Sequence, residues 1–180
     1  MTWLLDACIL IRAEDAGRLS ELLDVAATFR IALAEEVWFE VADPVSRRPR
    51  VLAAARRARA TLDASNIHVE SIPLGGPEAA LYAALRQGRT SPNDAGECAS
   101  VALASCREHH VFVTAEKGAV VLGVHELGER VMTLPWFLRR LVEAHALSAA
   151  AASEIRERDR MSAPAWWADW IRTATAGASE

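Results

Sequence analysis

The sequence predicts an α/β fold, with a central, mostly parallel, twisted sheet of about 4–5 strands and helices on both faces. Three observations point to it. Short apolar runs recur along the chain, among them Trp3-Leu4-Leu5, Phe29 to Leu33 and Val111 to Thr114, each the length of a buried strand. Stretches with apolar residues at helical spacing alternate with these runs, as in a parallel sheet joined by helical crossovers. Finally, 180 residues without an internal repeat or long linker suit one domain with a sizeable core.

Taken in order, Trp3-Leu4-Leu5 opens as a strand that leads into Asp6, and the apolar run Ile9-Leu10-Ile11 continues it. Leu19, Leu22, Leu23 and Ala26 fall at helical spacing, which predicts a helix over 14–27. A strand over 29–33 follows, then a helix over 35–42. Pro44 and Pro49 interrupt before an alanine- and arginine-rich helix that runs to Leu62. The alternation from Ile67 to Ile72 reads as a strand, stopped by Pro73-Leu74-Gly75-Gly76-Pro77. A helix over 78–87 ends at Gly88. Ser91-Pro92-Asn93-Asp94 is a helix start, with a capping serine, proline at the first helical position and an acid three residues after the cap. That helix runs to about Glu108. After the strand at 111–114 come a helix over 117–127 with Gly128 as its stop, a strand over 130–134, and an amphipathic helix from Pro135 to Leu147. Residues 1–147 are therefore expected to form the main domain. Residues 148–180, with Trp166, Trp167 and Trp170, form a helical extension that packs on the domain or on a partner.

Composition excludes several classes. Hydrophobic residues make up 52% and charged residues 24%, the balance of a folded globular chain. No apolar run approaches the roughly 20 residues of a membrane helix. Met1 to Asp6 lacks both a basic region and a cleavage site, so no secretion signal is expected. Cys8, Cys98 and Cys106 form no CxxC pair, and their odd number argues against a disulfide framework; a reducing, cytoplasmic setting is expected. The net charge of −4 counts against a protein that coats nucleic acid, but not against an enzyme with an acidic metal pocket.

The acids carry the chemistry. In open parallel sheets ligands bind beyond the carboxyl ends of the strands. Asp6 directly follows the first strand, and Glu116 lies just past the strand at 111–114. Asp94 and Glu97 share one face of a helix, and Glu40 stands one turn after Glu36. Hard cations such as Mg²⁺ and Mn²⁺ take oxygen ligands, and clustered carboxylates repel unless a cation offsets them. Each acid also has a plainer reading. Asp6 could cap a turn, Glu116 could favour a helix N-terminus, Asp94 could belong to a capping box, and Glu36 and Glu40 could be solvated.

Four segments, in order, resemble the PIN-domain family. They are Leu4-Leu5-Asp6-Ala7-Cys8-Ile9-Leu10-Ile11, Glu36-Val37-Trp38-Phe39-Glu40-Val41, the "GE" helix Asp94-Ala95-Gly96-Glu97-Cys98-Ala99-Ser100-Val101-Ala102-Leu103-Ala104, and Val111-Phe112-Val113-Thr114-Ala115-Glu116-Lys117. The resemblance runs from Trp3 to about Leu147. It implies a three-layer PIN-like fold and a Mg²⁺- or Mn²⁺-dependent endoribonuclease, of the kind found as the toxin in VapBC-type toxin–antitoxin pairs. It also implies RNA as substrate, an antitoxin protein as partner, and a homodimer. Asp6, Glu40, Glu97 and Glu116 match the family's catalytic acids. Asp6, Glu97 and Glu116, with Asp94 beside them, would hold the metal, and Thr114 matches a hydroxyl position of the fourth motif. Two positions depart from the pattern: Glu116 stands where aspartate is usual, and Cys8 where many members carry Asn, Ser or Thr. These departures support a second reading, a PIN-like scaffold that binds protein or nucleic acid without catalysis.

Arg47, Arg48 and Arg50, with Arg56, Arg57 and Arg59, form the one basic cluster. Arginine forks suit RNA phosphates; the other reading is a solvated helix face or a dock for an acidic segment. His109-His110 is expected to end a helix, where a cation suits the dipole.

Overall fold

In the computed structural model, which describes residues 1–42, 49–89, 91, 94–159 and 162–177, five strands form one parallel sheet in the order β3-β2-β1-β4-β5. The strands are β1 (Thr2–Leu5), β2 (Ile31–Ala34), β3 (His68–Glu70), β4 (His110–Thr114) and β5 (Val131–Thr133). Helices flank the sheet, as the alternation of elements predicts. They are α1 (Ala7–Asp15), α2 (Leu19–Asp24), α3 (Ala26–Phe29), α4 (Glu35–Ala42), α5 (Pro49–Asp63), α6 (Pro77–Arg86), α7 (Asp94–Cys106), α8 (Lys117–Leu127), α9 (Leu134–Glu143), α10 (Ala149–Glu157) and α11 (Trp167–Gly177). Among the described residues no helix is long and apolar enough to cross a membrane.

The strand order reverses between β1 and β4. From β1 the chain builds outward through β2 and β3, then returns to the other edge of β1 with β4 and β5. Such a switch point leaves a crevice outside the carboxyl ends of the two central strands. The register pairs Leu5 with Val113, and the Asp6 N–H extends the ladder to the Val113 carbonyl at 3.0 Å. Asp6 and the end of β4 therefore meet at this crevice.

The core lies on both faces of β1, β2 and β4. Leu4, Leu5, Leu33, Phe112 and Val113 are wholly buried, and Trp3 stacks on Phe29 and meets Phe137 edge-on. Helix α7 is buried along most of its length: Gly96 and Cys98 to Ala104 are all inside. Its glycine, alanine and serine side chains are what allow it to lie against β1, β2, α4 and α6 at once.

Several expected boundaries shift for local reasons. Ile9, Leu10 and Ile11 belong to α1 rather than to a strand, because the chain turns helical immediately after Asp6. The helix expected over 14–27 is three pieces. Gly17 takes a left-handed φ of 70°, and Arg18 N–H closes onto the Ala13 carbonyl at 2.8 Å, a Schellman-type stop for α1. The same device ends α9 early: His145 has φ 56°, and Ala146 N–H bonds the Leu141 carbonyl at 2.9 Å. The start expected for α7 at Pro92-Asn93, and Pro44, lie outside the described residues; the described part of α7 begins at Asp94.

The extension packs on the domain. Ala151, Ala152 and Ile155 of α10 join the main core. Trp166, Trp167 and Trp170 cluster with one another, and Trp166 lies 4.6 Å from Trp136 of α9, centroid to centroid. His110, expected at a helix end, instead opens β4 and meets the buried Glu70 carboxylate at 3.0 Å, with Arg107 on the same carboxylate.

Candidate functional site

Asp6 and Glu116 both occupy the N-cap position of a helix, α1 and α8, yet neither side chain caps it. The Asp6 carboxylate, only 3% exposed, turns instead toward β4. Its Oδ2 accepts from the Thr114 hydroxyl at 2.6 Å and from the Cys8 thiol at 2.9 Å. Thr114 Oγ1 in turn accepts the Glu116 N–H at 3.1 Å, and the Ala115 N–H lies 3.3 Å from Cys8 Sγ. Cys8 thus supplies a donor to Asp6, and burial together with the Asp6 charge holds its thiol well above the usual range.

Across the crevice stands Glu40. It lies against Gly96 of α7, where a Cβ would come within 2.5 Å of Glu40 Oε2. That oxygen is buried and has no hydrogen-bond partner among the described residues. Burial, and then the charges of Asp6, Glu97, Asp94 and Glu116, push the Glu40 carboxyl up to about 9. Glu97 rises to about 8 from burial and from Asp6 and Asp94, opposed by Arg89, whose guanidinium lies 3.5 Å from Glu97 Oε2. Asp6, Glu40, Asp94, Glu97 and Glu116 therefore share one electrostatic neighbourhood.

Glu116 differs from the others: its side chain is half exposed and accepts from Arg12 Nη2 at 2.8 Å. Among the described residues, no three His, Cys, Asp or Glu side chains are gathered as a coordination set. The acids are close enough to act on one another's charge without converging on one point.

Of the basic residues, Arg47 and Arg48 lie outside the described residues. Arg50 forks onto Asp15 of α1 at 2.8 and 3.0 Å, and Arg57 binds Glu14 at 3.1 Å. This part of the cluster ties α5 to α1 through acids of the same chain. An open cleft at the opposite, amino-terminal end of the sheet is lined by Thr2, Arg30, Ile31, Asn66, His68 and Glu70, and holds none of the five acids.

No family model, curated protein or solved structure matches the chain. The chemistry of its own site therefore carries the functional reading.

Two residues beside the site, Arg12 and Arg89, were not singled out from the sequence, and a third, Glu36, was read only as solvated. Arg12 is buried beside Glu116, and Arg89 faces Glu97. Glu36, expected to be solvated, is half-buried with Oε2 unpartnered among the described residues, and burial raises its carboxyl. Arg12 had a readable signal, a charge inside the apolar stretch Ile9 to Ala13, which calls for a partner. Glu36 had none, since the half-burial depends on neighbours brought by the fold.

Proposed function

We propose that this protein is a PIN-type, metal-dependent endoribonuclease that hydrolyses RNA phosphodiester bonds. The observation that carries the reading is the carboxylate neighbourhood at the β1/β4 switch point, where Glu40 and Glu97 are raised to about 9 and 8 by burial and by the other acids. Ionising these two carboxyls in a half-buried crevice among other acids is costly unless a cation offsets the charge.

The donor set fits a hard divalent cation. It consists of carboxylate oxygens, and Glu40 Oε2 is a buried acceptor without a partner among the described residues. Asp6, Glu97 and Glu116, with Asp94 beside them, are the residues that would hold Mg²⁺ or Mn²⁺. When bound, such an ion supplies an activated water and stabilises charge on the phosphate. The chain's own groups prepare the rest. Thr114 and Cys8 donate to Asp6 Oδ2, which orients its other oxygen and fixes its rotamer. Glu40, whose carboxyl burial and the neighbouring acids push up to about 9, is suited to take the proton of the attacking water once ionised.

A toxin role, an antitoxin partner, a homodimer and a cytoplasmic setting rest on the family resemblance and composition alone. One observation favours the second reading, a scaffold without catalysis. The Glu116 carboxylate is engaged by Arg12.

Cleavage of labelled single-stranded RNA with Mg²⁺, Mn²⁺ or EDTA, with Asp6→Asn alongside, decides between them. Metal-dependent cutting that vanishes in a folded Asp6→Asn protein supports the nuclease. No cutting by the wild type, with no calorimetric Mn²⁺ binding, supports the scaffold.

A further inference from the structure

A buried cation stands against the acid site. Arg12 of α1 is 8% exposed, and its Nη2 donates to Glu116 Oε1 at 2.8 Å. The same nitrogen lies 3.8 Å from Oδ1 of Asp159, just past α10. The Asp159 side chain is fully buried, and its Oδ2 lies 3.5 Å from Nη1 of Arg156, itself buried. Alternating charges therefore run Arg156–Asp159–Arg12–Glu116, from the C-terminal extension to the acid at the end of β4.

Each link has a physical reason. A buried guanidinium is tolerated only when its charge is paired, and Asp159 and Glu116 supply the pairing, both at Nη2. Glu116 is half exposed on a long side chain, so without a fixed partner it would sample many rotamers. A charge-assisted bond from an arginine already held by packing selects one of them. Glutamate reaches further than aspartate, and Arg12 determines where that longer arm ends.

We infer that Arg12 is the positioning residue for Glu116 and that Asp159 anchors it, which makes α10 and Asp159 a working part of the acid site. The inference rests on the nuclease reading, because holding Glu116 still matters only if its carboxylate meets a metal or substrate. Breaking an ion pair that served stability alone would lower the melting temperature and leave the affinity of the site unchanged.

Calorimetric Mn²⁺ binding and RNA-cleavage kinetics on the full chain separate the cases, with Arg12→Gln, Arg12→Lys, Asp159→Asn, Glu116→Gln and the Arg12→Gln/Glu116→Gln double variant. Arg12→Gln is expected to weaken Mn²⁺ binding about tenfold, as removal of a ligand's orienting partner does, and to lower kcat with little change in KM. Asp159→Asn should move both in the same direction by less, and Arg12→Lys should restore part of the loss. In the Glu116→Gln background, Arg12→Gln should add nothing, since its effect passes through that carboxylate. Arg12→Gln with wild-type Mn²⁺ affinity and kcat overturns the inference, as does full additivity with Glu116→Gln. If Arg12→Gln does not fold, Asp159→Asn takes its place, and wild-type affinity and kcat there overturn the inference equally. A wild type that neither binds Mn²⁺ nor cuts RNA overturns the nuclease reading and this inference with it. An active wild type matched by its Arg12 and Asp159 variants overturns this inference alone.

Discussion

Glu40 sits against the bare backbone of Gly96, and a Cβ at position 96 would lie 2.5 Å from Glu40 Oε2 and 2.9 Å from Val37 Cγ2. Helices α4 and α7 approach this closely because position 96 carries no side chain. Gly96→Ala is therefore expected to push aside the movable partner, the Glu40 carboxylate, and to press on Val37. Overpacking of this kind costs about 1–3 kcal/mol, which thermal unfolding should register as a clear drop in Tm. RNA cleavage measured well below that Tm should fall further than the unfolded fraction explains. Wild-type cleavage by a Gly96→Ala protein would detach Glu40 from the chemistry.

Stability should depend on pH in a direction set by the same acids. Glu40 rises from 4.5 to about 9 and Glu97 from 4.5 to about 8, so across that window the folded protein holds protons that the unfolded chain releases. A folded state that binds more protons loses stability as pH rises. In EDTA, Tm should fall steadily from about pH 5 to about pH 9, and Mn²⁺ should lessen the fall. Glu40→Gln, neutral throughout, should flatten the slope and melt above wild type at the alkaline end. An unchanged slope in Glu40→Gln would rule out Glu40 as its source.

Thr114 joins two acids with one hydroxyl, donating to Asp6 Oδ2 at 2.6 Å and accepting from Glu116 N–H at 3.1 Å. Thr114→Val keeps the shape and removes both bonds, leaving a buried carboxylate short of a donor. The expected cost is about 1–3 kcal/mol, seen as a lower urea midpoint at constant m-value. Thr114→Ser should retain most of the stability. A stable Thr114→Val beside a destabilised Thr114→Ser would instead assign the effect to packing of the Thr114 methyl group.

The extension is held by aromatic contacts. The Arg139 guanidinium lies 5.3, 5.2 and 5.8 Å from the ring centroids of Trp136, Trp166 and Trp170, and Trp167 is only 6% exposed. Trp166→Ala, which removes the ring touching all three other tryptophans of the cluster, should release α11 to limited proteolysis within 162–177 while the sheet stays folded. Arg139→Ala should have a smaller effect, about 1 kcal/mol or less. Protease resistance in Trp166→Ala equal to wild type would show that the cluster does not hold α11 in place.

Much of the fold was legible because its signals are local. The bounds expected for α4 and α8 coincide with those observed: acids open α4, and Gly128 stops α8 with a φ of 60°. Where the deciding feature was a residue's backbone conformation, the reading failed. Gly17 was passed over inside an apparently continuous helical pattern, and nothing in its neighbours marks His145 as left-handed. At the site, Asp6 and Glu116 were legible as acids just past apolar strands. Glu36 was not, because it owes its half-burial to neighbours brought by the fold, and the charge of Arg12 inside an apolar stretch signalled a partner without naming Glu116.

The order of residues alone determined a parallel α/β sheet and the placing of Asp6 and Thr114 at the ends of its central strands, since periodicity, caps and strand-end position are short-range properties. Only the tertiary structure decided which groups meet. Asp6 and Thr114 are 108 residues apart, and Arg12 and Glu116 are 104 apart. Chain spacing cannot specify such contacts; they follow from the parallel pairing of β1 with β4, which brings the start of α1 beside the end of β4.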